Sequence, residues 1–470
     1  MDETSTAYRA AADRFASDPR GAAALVALAT ADPDLRQPVT DTICEWLRTA
    51  DDAEASAEVL RTLADLLRAD GDETVAVDLT GATLPDIDFS GCRLDVDFAD
   101  TRFHGTATFD GATFEEIAAF QRAVFHGDAS FAGARFEGDA EFGRVRFRGR
   151  TDFTGAAFDG MAWFGRGTDT WWEDDEAWDT VEEIEPAPWD EPNEDDPNWP
   201  VAVLVEDYQD WEEGGDGARF GGDVSFREAR FEGAAWFFYA RFGAAADFGG
   251  AGFAGRVRLD QPAVDLTGAT WGGDTEDGET VWPLGWTVTP DPDEAGDVVP
   301  DDSVAPYARQ LTTRDPATRS AGLRLLAQLG DDRPELRQRV VITLCALLRE
   351  PVPFDLRAAA RTDEQAALLR VRDEAQRLLA DRLRPGPGQW KDMDLWLCGA
   401  TLVDLDLSGC EAGYADFTAT QFHGRTRLDG THFDRASFTL DGETGRATFH
   451  GDAVFDTAPP DHAVFHGTTT

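Results

Sequence analysis

Phenylalanine recurs with an unusual period between residues 103 and 164. The intervals between successive rings alternate between six and five residues without exception. The rings stand at Phe103, Phe109, Phe114, Phe120, Phe125, Phe131, Phe136, Phe142, Phe147, Phe153, Phe158 and Phe164. A helix repeats about every 3.6 residues and a strand about every 2, so neither element explains this pattern. An interval of five or six fits one short strand plus a corner, which predicts a chain that winds repeatedly on itself.

The residue two positions before each of these rings is small. The set is Thr101, Ala107, Ala112, Ala118, Ala123, Ala129, Ala134, Ala140, Val145, Thr151, Ala156 and Ala162. An extended chain points residues i and i+2 to the same side, so a large and a small side chain would fill a narrow interior together, layer upon layer. Glycines between the rings, such as Gly111 and Gly133, would supply corners with unusual dihedral angles.

Two stretches outside this block resemble the A-(D/N)-L-x-x units of the pentapeptide-repeat proteins. They are Asp78-Leu79-Thr80-Gly81-Ala82-Thr83-Leu84 and Asp406-Leu407-Ser408-Gly409-Cys410. The phenylalanine-rich block is a variant in which an extra residue enters every second unit, giving a coil of about 22 residues instead of about 20. The resemblance covers roughly half of the chain. It implies a mainly β fold with added helices, in which the repeats form a right-handed, quadrilateral parallel β-helix.

Both the helical and the repeat segments occur twice. The spacing from Leu35 to Cys44 equals that from Leu336 to Cys345, and residues 81–92 align without gaps on 399–410. Helical modules of this kind would cover the exposed edge of a solenoid's first coil. The predicted segments are a helical capping module (1–75), a solenoid (76–271), an edge cover with an acidic linker (272–303), a second helical module (304–388) and a second solenoid (389–470).

The net charge of −49 is concentrated in two segments. Residues 166–217 hold 20 acidic residues and one basic residue, and residues 272–303 hold 10 acidic residues and no basic one. The alternation of five and six resumes after the first segment at Phe220 and Phe226. Residues 166–217 are therefore predicted to be an insertion of about 51 residues that leaves one corner and returns in register. Six tryptophans, including Trp171, Trp172 and Trp178, indicate that part of it packs.

Stacking also places outward side chains above one another. With a coil of about 22 residues, Trp163 and Trp236 should be adjacent on one outer face, about 4.8 Å apart. Two neighbouring outward tryptophans would form an exposed apolar patch. The insertion, which begins beside Trp163, is the predicted cover.

Carboxylates form a second outward row. Glu115, Glu137, Asp159 and Glu232 each follow a core phenylalanine in successive layers. Such neighbours repel by about 1 kcal/mol in water, so they either turn into solvent or meet cations. Arginines lie near the row and on an adjoining face: Arg135, Arg230, Arg102, Arg146, Arg219 and Arg241. The alternatives are a mixed-charge solvated surface, a binding stripe for a basic partner, and a calcium site.

Motifs for catalysis or cofactor binding are missing from the sequence. It has no phosphate loop, nucleophile elbow or HExxH motif, and the seven histidines lack the companions of a tetrahedral metal site. We therefore predict no enzyme activity, no cofactor and no metal. Five cysteines without a C-x-x-C pair, no apolar segment of membrane-spanning length and no signal peptide predict a cytoplasmic protein that does not enter membranes.

Three functions follow from these observations. The first is a non-enzymatic interaction or scaffold protein of bacterial type, with the acidic, tryptophan-rich insertion contacting a protein partner, which could be basic. The second is implied by the resemblance, because some pentapeptide-repeat proteins mimic duplex DNA and bind DNA gyrase; direct nucleic-acid binding is not expected. The third is a purely structural protein without a dedicated ligand.

Overall fold

The fold is known from a computed structural model. The structure describes residues 3–68, 74–165, 217–237, 240–243, 245–259, 264–273, 280–289, 295–302, 304–311, 313, 315–350, 352, 354, 356–358, 360–439, 446–456, 459–460 and 463–469. The predicted contact residues Trp171, Trp172 and Trp178 lie outside these ranges.

Four helices precede the first strands. They are α1 (Glu3–Ser17), α2 (Ala22–Ala31), α3 (Arg36–Thr49) and α4 (Ala53–Arg68). Short 3-10 turns at Pro19–Gly21 and Pro33–Leu35 start at the two Asp-Pro pairs. In each pair the aspartate side chain accepts a hydrogen bond from the backbone amide two residues later, which caps the turn. The apolar face of α4, including Leu60 and Leu63, is buried against the rest of the module and the first strands.

The first repeat block, residues 76–271, is built from four parallel ladders of very short strands. Ladder 1 contains β2 (Thr83–Leu84), β5 (Arg102–Phe103), β9 (Val124–Phe125), β13 (Arg146–Phe147), β17 (Arg219–Phe220) and β21 (Arg241–Phe242). Ladder 2 contains β3 (Ile87–Asp88), β6 (Ala107–Thr108), β10 (Ala129–Ser130), β14 (Thr151–Asp152), β18 (Val224–Ser225), β22 (Ala246–Asp247) and β25 (Val264–Asp265).

The other two ladders share strand β4. Ladder 3 contains β4 (Arg93–Asp97), β7 (Thr113–Phe114), β11 (Arg135–Phe136), β15 (Ala157–Phe158), β19 (Arg230–Phe231), β23 (Gly252–Phe253) and β26 (Thr270–Trp271). Ladder 4 contains β1 (Ala76–Asp78), β4, β8 (Ala118–Ala119), β12 (Ala140–Glu141), β16 (Ala162–Trp163), β20 (Ala235–Trp236) and β24 (Val257–Arg258). From β2 to β24 the chain visits ladders 1, 2, 3 and 4 in turn, and β25 and β26 then extend ladders 2 and 3.

Phenylalanine rings fill the space between the ladders. Phe103 pairs in register with Phe125, and their ring centroids are 4.3 Å apart with planes 8° apart. Rings of the neighbouring ladders 3 and 4 also meet edge to face, as Phe114 and Phe120 do at 5.8 Å. All four rings are fully buried. The predicted vertical stacking of Phe103 and Phe125 is confirmed.

Glycines at the corners serve two different needs. Gly111 and Gly133 have φ values of 62° and 65°, the left-handed region that glycine adopts most easily. Gly127 has no positive φ, but a Cβ atom there would lie 2.5 Å from the carbonyl oxygen of Gly105 in the layer before. Larger residues are therefore excluded at Gly127 by the close approach of two layers.

Aspartates accept the backbone amides of several of the extra residues. The backbone amide of Met161, one of the extra residues, donates to Oδ1 of Asp139 in the preceding layer at 2.7 Å. Arg150 donates to Asp128 in the same way at 2.8 Å. In these two layers a carboxylate satisfies the amide of the extra residue, and the strands beside it keep their register.

The final coil of the first block lies under an antiparallel hairpin. Strands β27 (Trp286–Thr289) and β28 (Gly296–Pro300) pair with each other, and β28 also pairs with β26 at the end of ladder 3. The Trp282 ring contacts Phe253 and Trp271 edge to face. The antiparallel direction ends the regular stacking at this point.

Four further helices and nine strands of the described chain form the second half. The helices are α5 (Ala305–Leu311), α6 (Pro316–Asp332), α7 (Arg337–Arg349) and α8 (Asp363–Leu383), with a 3-10 turn at Pro334–Leu336. The strands are β29 (Leu395–Trp396), β30 (Thr401–Val403), β31 (Glu411–Asp416), β32 (Gln421–His423), β33 (Thr426–Arg427), β34 (His432–Ser437), β35 (Thr448–Phe449), β36 (Ala453–Val454) and β37 (Val464–Phe465). We call this strand region, residues 389–470, the second repeat block; its strands pair in parallel.

Glutamines at equivalent positions join each helical module to the first strand behind it. The Gln37 side chain donates to the Ala76 carbonyl at 3.0 Å and accepts from the Ala76 amide at 2.8 Å. Gln338 forms the same pair of bonds with Asp394, at 2.9 Å each. Both glutamines therefore satisfy the backbone donor and acceptor of one residue at the open edge of a sheet.

Arginines at the ends of α4 and α8 also bond backbone carbonyls at equivalent positions in the two halves of the chain. Arg68 Nε donates to the Ser90 carbonyl at 2.8 Å, and Arg384 Nε donates to the Ser408 carbonyl at 3.1 Å. The duplication seen in the sequence thus extends to the contacts between helix and strand.

Helix α7 contacts both the hairpin that follows the first repeat block and the second repeat block. Arg339 Nη2 donates to the Trp286 carbonyl in the hairpin at 3.3 Å, while the preceding residue, Gln338, bonds Asp394. Burial lowers the pKa of Arg339 from its ordinary value, partly offset by Asp301. The second helical module consequently joins the end of the first block to the start of the second.

Candidate interaction surfaces

The flanks of the acidic insertion meet at a single corner. At other corners of this edge, a backbone amide bonds the carbonyl three residues earlier, as Ala123 does with Phe120 at 3.0 Å. At the insertion the Ala218 amide bonds the Phe164 carbonyl at 2.8 Å. Residues 165–217 thus stand where other layers have two corner residues. The predicted return in register is confirmed, because Phe147 pairs with Phe220 across the insertion.

The tryptophan pair lies where the sequence placed it. Trp163 and Trp236 pair in register in ladder 4, and their ring centroids are 6.4 Å apart. They are only 5% and 3% exposed, because Cys398 and Trp396 of the second block pack against them. The Arg258 guanidinium lies 5.4 Å from the centroid of Trp236 and 5.6 Å from that of Trp396.

This contact changes the expected role of the pair. The sequence predicted that the insertion covers the tryptophan pair, but the insertion lies outside the described residues. Among the described residues, the second repeat block covers the pair. Trp163 and Trp236 therefore take part in a contact within the chain. Trp396 was missed, although it is the outward residue of a short strand just as Trp163 is, and that shared position was the available signal.

The arginine row of ladder 1 continues the same contact. Arg102 is exposed in an early layer, whereas Arg146 and Arg219 are each 1% exposed in later layers. Arg241, in the last layer of the row, donates from Nη2 to the Gly399 carbonyl at 2.6 Å. The edge between ladders 1 and 4 is thus exposed near its beginning and buried near its end.

The predicted row of carboxylates exists on ladder 3. Backbone amides of its members bond the carbonyl of the core residue one layer earlier, as Glu137 bonds Phe114 and Glu232 bonds Phe158, each at 2.8 Å. The row begins one layer earlier than predicted, at Asp95, which follows Leu94 instead of a phenylalanine. Burial, and next the nearby Glu116 carboxylate, raises the pKa of Asp95.

Arginines accompany several of these carboxylates. Arg93 forms an ion pair with Glu115. Arg135 lies 2.5 Å from an oxygen of Asp159 and 3.4 Å from one of Glu137. Of the two predicted outcomes, splaying into solvent or meeting cations, the second holds for these three acids. The more exposed acids are Glu137, with 47% of its side chain exposed, and Glu232.

The thiols and the metal-binding residue types show no reactive arrangement among the described residues. Burial raises the pKa of Cys44 and Cys410 to about 12 and that of Cys92 to about 11, which disfavours the nucleophilic thiolate. Within the described ranges, no cluster of three or more His, Cys, Asp or Glu side chains is arranged to hold a metal ion. No described helix combines the length and apolarity needed to span a bilayer.

Comparison with known proteins identifies the repeats. The family model described as pentapeptide repeats, nine copies, matches residues 92–135, 120–168 and 216–261. The matched segments lie on both sides of the acidic insertion and cover most of the first repeat block. Neither the curated proteins nor the solved structures gave a significant match. By this match, the first repeat block is built from pentapeptide repeats.

Proposed function

We propose that this protein is a non-enzymatic, cytoplasmic scaffold that holds a protein-binding segment on a rigid support. The two repeat blocks would be right-handed, four-sided β-solenoids, each capped by its helical module. Four ladders visited in a fixed order and stacked core rings support this geometry for the first block. The acidic, tryptophan-rich residues 166–217 would be the contact segment.

The observation that carries the proposal is the corner formed by Phe164 and Ala218. The hydrogen bond between them replaces an ordinary two-residue corner, and the ladders on both sides keep their register. The support therefore does not need the insertion for its own pairing. A segment of such charge and aromatic content, attached at one point, is well suited to contact a partner.

The test replaces residues 165–217 by Gly-Arg, the pair that forms the corresponding corner at Gly143 and Arg144. The variant should retain the circular dichroism and cooperative melting of the full chain. Partners cross-linked to the full chain in lysate of its native host should be lost from it. A matched control keeps the insertion and all its acids but changes its six tryptophans to serine, which separates aromatic recognition from charge. Unfolding of the replacement variant, or an unchanged set of captured partners, would contradict the proposal.

The carboxylate row is a proposed second contact for a basic partner, at Glu137 and Glu232. Mimicry of duplex DNA receives less support, because Arg93 and Arg135 pair with acids of the row and reduce its negative charge. A gyrase supercoiling assay distinguishes the two functions. We expect no effect at micromolar protein, and inhibition at that concentration would favour DNA mimicry over the scaffold.

A further inference from the structure

Three imidazole rings are stacked along the outer side of the second repeat block. His423, His450 and His466 directly follow three core phenylalanines in successive layers of the ladder formed by β30, β32, β35 and β37. The ring centroids of His423 and His450 are 4.4 Å apart, and those of His450 and His466 are 5.5 Å apart. The planes are within 20° of parallel in both pairs. We call these three residues the imidazole stack.

The surroundings of the central ring fix its neutral tautomer and lower its pKa. His423 is buried, His450 is partly buried, and Nε2 of His450 lies 2.7 Å from Oε1 of Gln421. An amide oxygen only accepts hydrogen bonds, so Nε2 carries the proton of the neutral ring. Besides burial, which is the largest cause, the cationic Arg357 and the two neighbouring imidazoles lower the pKa of His450 to about 3.

We propose that the imidazole stack makes the second repeat block acid-sensitive, because His450 takes up a proton only when the stack opens. The proposal goes beyond the scaffold function and does not depend on it. The geometry explains why the closed stack excludes a second charge. Two charged rings 4.4 Å apart beside an arginine repel one another, and burial removes the water that would screen them.

The sign of the effect follows from proton linkage. The pKa of His450 is below its ordinary value of 6.5 in the closed stack and returns to that value when the stack opens. Above pH 6.5 both forms are neutral and the equilibrium does not change with pH. Below pH 6.5 the open form binds a proton that the closed form lacks, so opening becomes more favourable as the pH falls. One proton corresponds to a rise of about tenfold in the opening constant per pH unit.

Hydrogen exchange of the full chain tests this proposal. Exchange is measured from pH 7.5 to 4.5 and corrected for the intrinsic pH dependence of amide exchange. Opening constants for β32, β35 and β37 should rise by up to about tenfold per unit below about pH 6. Those for β19 and β23, which lie in a part of the first block without histidine, should stay constant. His450→Gln, which does not titrate, should remove the slope. His432→Gln, at an exposed position on β34, is the matched control and should leave it unchanged.

A nuclear magnetic resonance titration of the wild-type imidazoles tests the proposal independently of any variant. The ring of His450 should remain neutral in the folded protein down to pH 4.5. Titration of that ring with a midpoint near pH 6.5 in the folded state would overturn the proposal, and so would a slope that persists in His450→Gln. If His450→Gln does not fold, the wild-type titration by itself distinguishes the two outcomes.

Discussion

The substitution Gln338→Met tests whether the second helical module stabilises the edge of the strand behind it. Gln338 holds the amide and the carbonyl of Asp394 through two hydrogen bonds of 2.9 Å, both partly buried. Methionine has nearly the same shape and retains the packing, but it can form neither bond. A hydrogen bond of this kind contributes about 0.5–1.5 kcal/mol net, so the pair should be worth about 1–3 kcal/mol.

The matching bonds of Gln37 with Ala76 are more exposed, and water can replace them at less cost. Gln37→Met should therefore cost about 1 kcal/mol or less. The control is Gln310→Met on α5, because the bond that the described residues show for the side-chain amide of Gln310 lies within its own helix, to Pro306.

Native-state hydrogen exchange at Asp394 and along β29 and β30 measures the effect directly. At about 1.4 kcal/mol per factor of ten, the opening constant should rise about 5- to 150-fold in Gln338→Met, and urea denaturation should show a loss of the same size. A change no larger than that of Gln310→Met would refute the reasoning. Water would then satisfy the strand edge, and the glutamine would have no capping role.

Three further outcomes follow from the contacts of single side chains. Arg372→Met should lower the free energy of unfolding by about 3 kcal/mol or more, since the last carbonyls of α7 would lose the charged donor that satisfies them in the interior; thermal melting checks this against the exposed Arg370→Met. Asp139→Ala should cost about 1 kcal/mol in urea denaturation because the Met161 amide loses its acceptor, and Asp139→Asn, which keeps an oxygen there, should cost less. With its pKa raised to about 12 by burial, Cys44 should resist iodoacetamide at pH 8 until the protein is unfolded, which mass spectrometry detects.

The stacking of the first block was predictable because it depends on local rules. The alternation of large and small inward residues fixes which side chains face the interior, and parallel pairing then fixes the register of Phe103 on Phe125. The same logic predicted that the chain returns in phase after the insertion, since a slip of one residue would turn every ring outward. Neither prediction required knowledge of distant parts of the chain.

The corners with an extra residue could not be predicted in the same way. Whether Met161 fits depends on an acceptor in the layer before, and Asp139 supplies it only because its side chain bends toward the next coil. The sequence shows an aspartate at this position, but aspartates are frequent at corners for several reasons. Only the distance between amide and carboxylate identifies this one as the partner.

The cover of the tryptophan pair required contacts between residues far apart in sequence. Along the outward row of ladder 4, exposed Asp97 gives way to Glu141 and Trp163, which are 4% and 5% exposed. The second repeat block lies against this row at Trp163 and Trp236, where Cys398 and Trp396 pack on the two rings. A repeat sequence predicts which face a side chain occupies. It does not predict what covers that face, which here is the second repeat block. Surfaces open to a partner are therefore found where the outward rows remain exposed, in the early layers and on ladder 3, and the proposed contacts at Glu137 and Glu232 lie there.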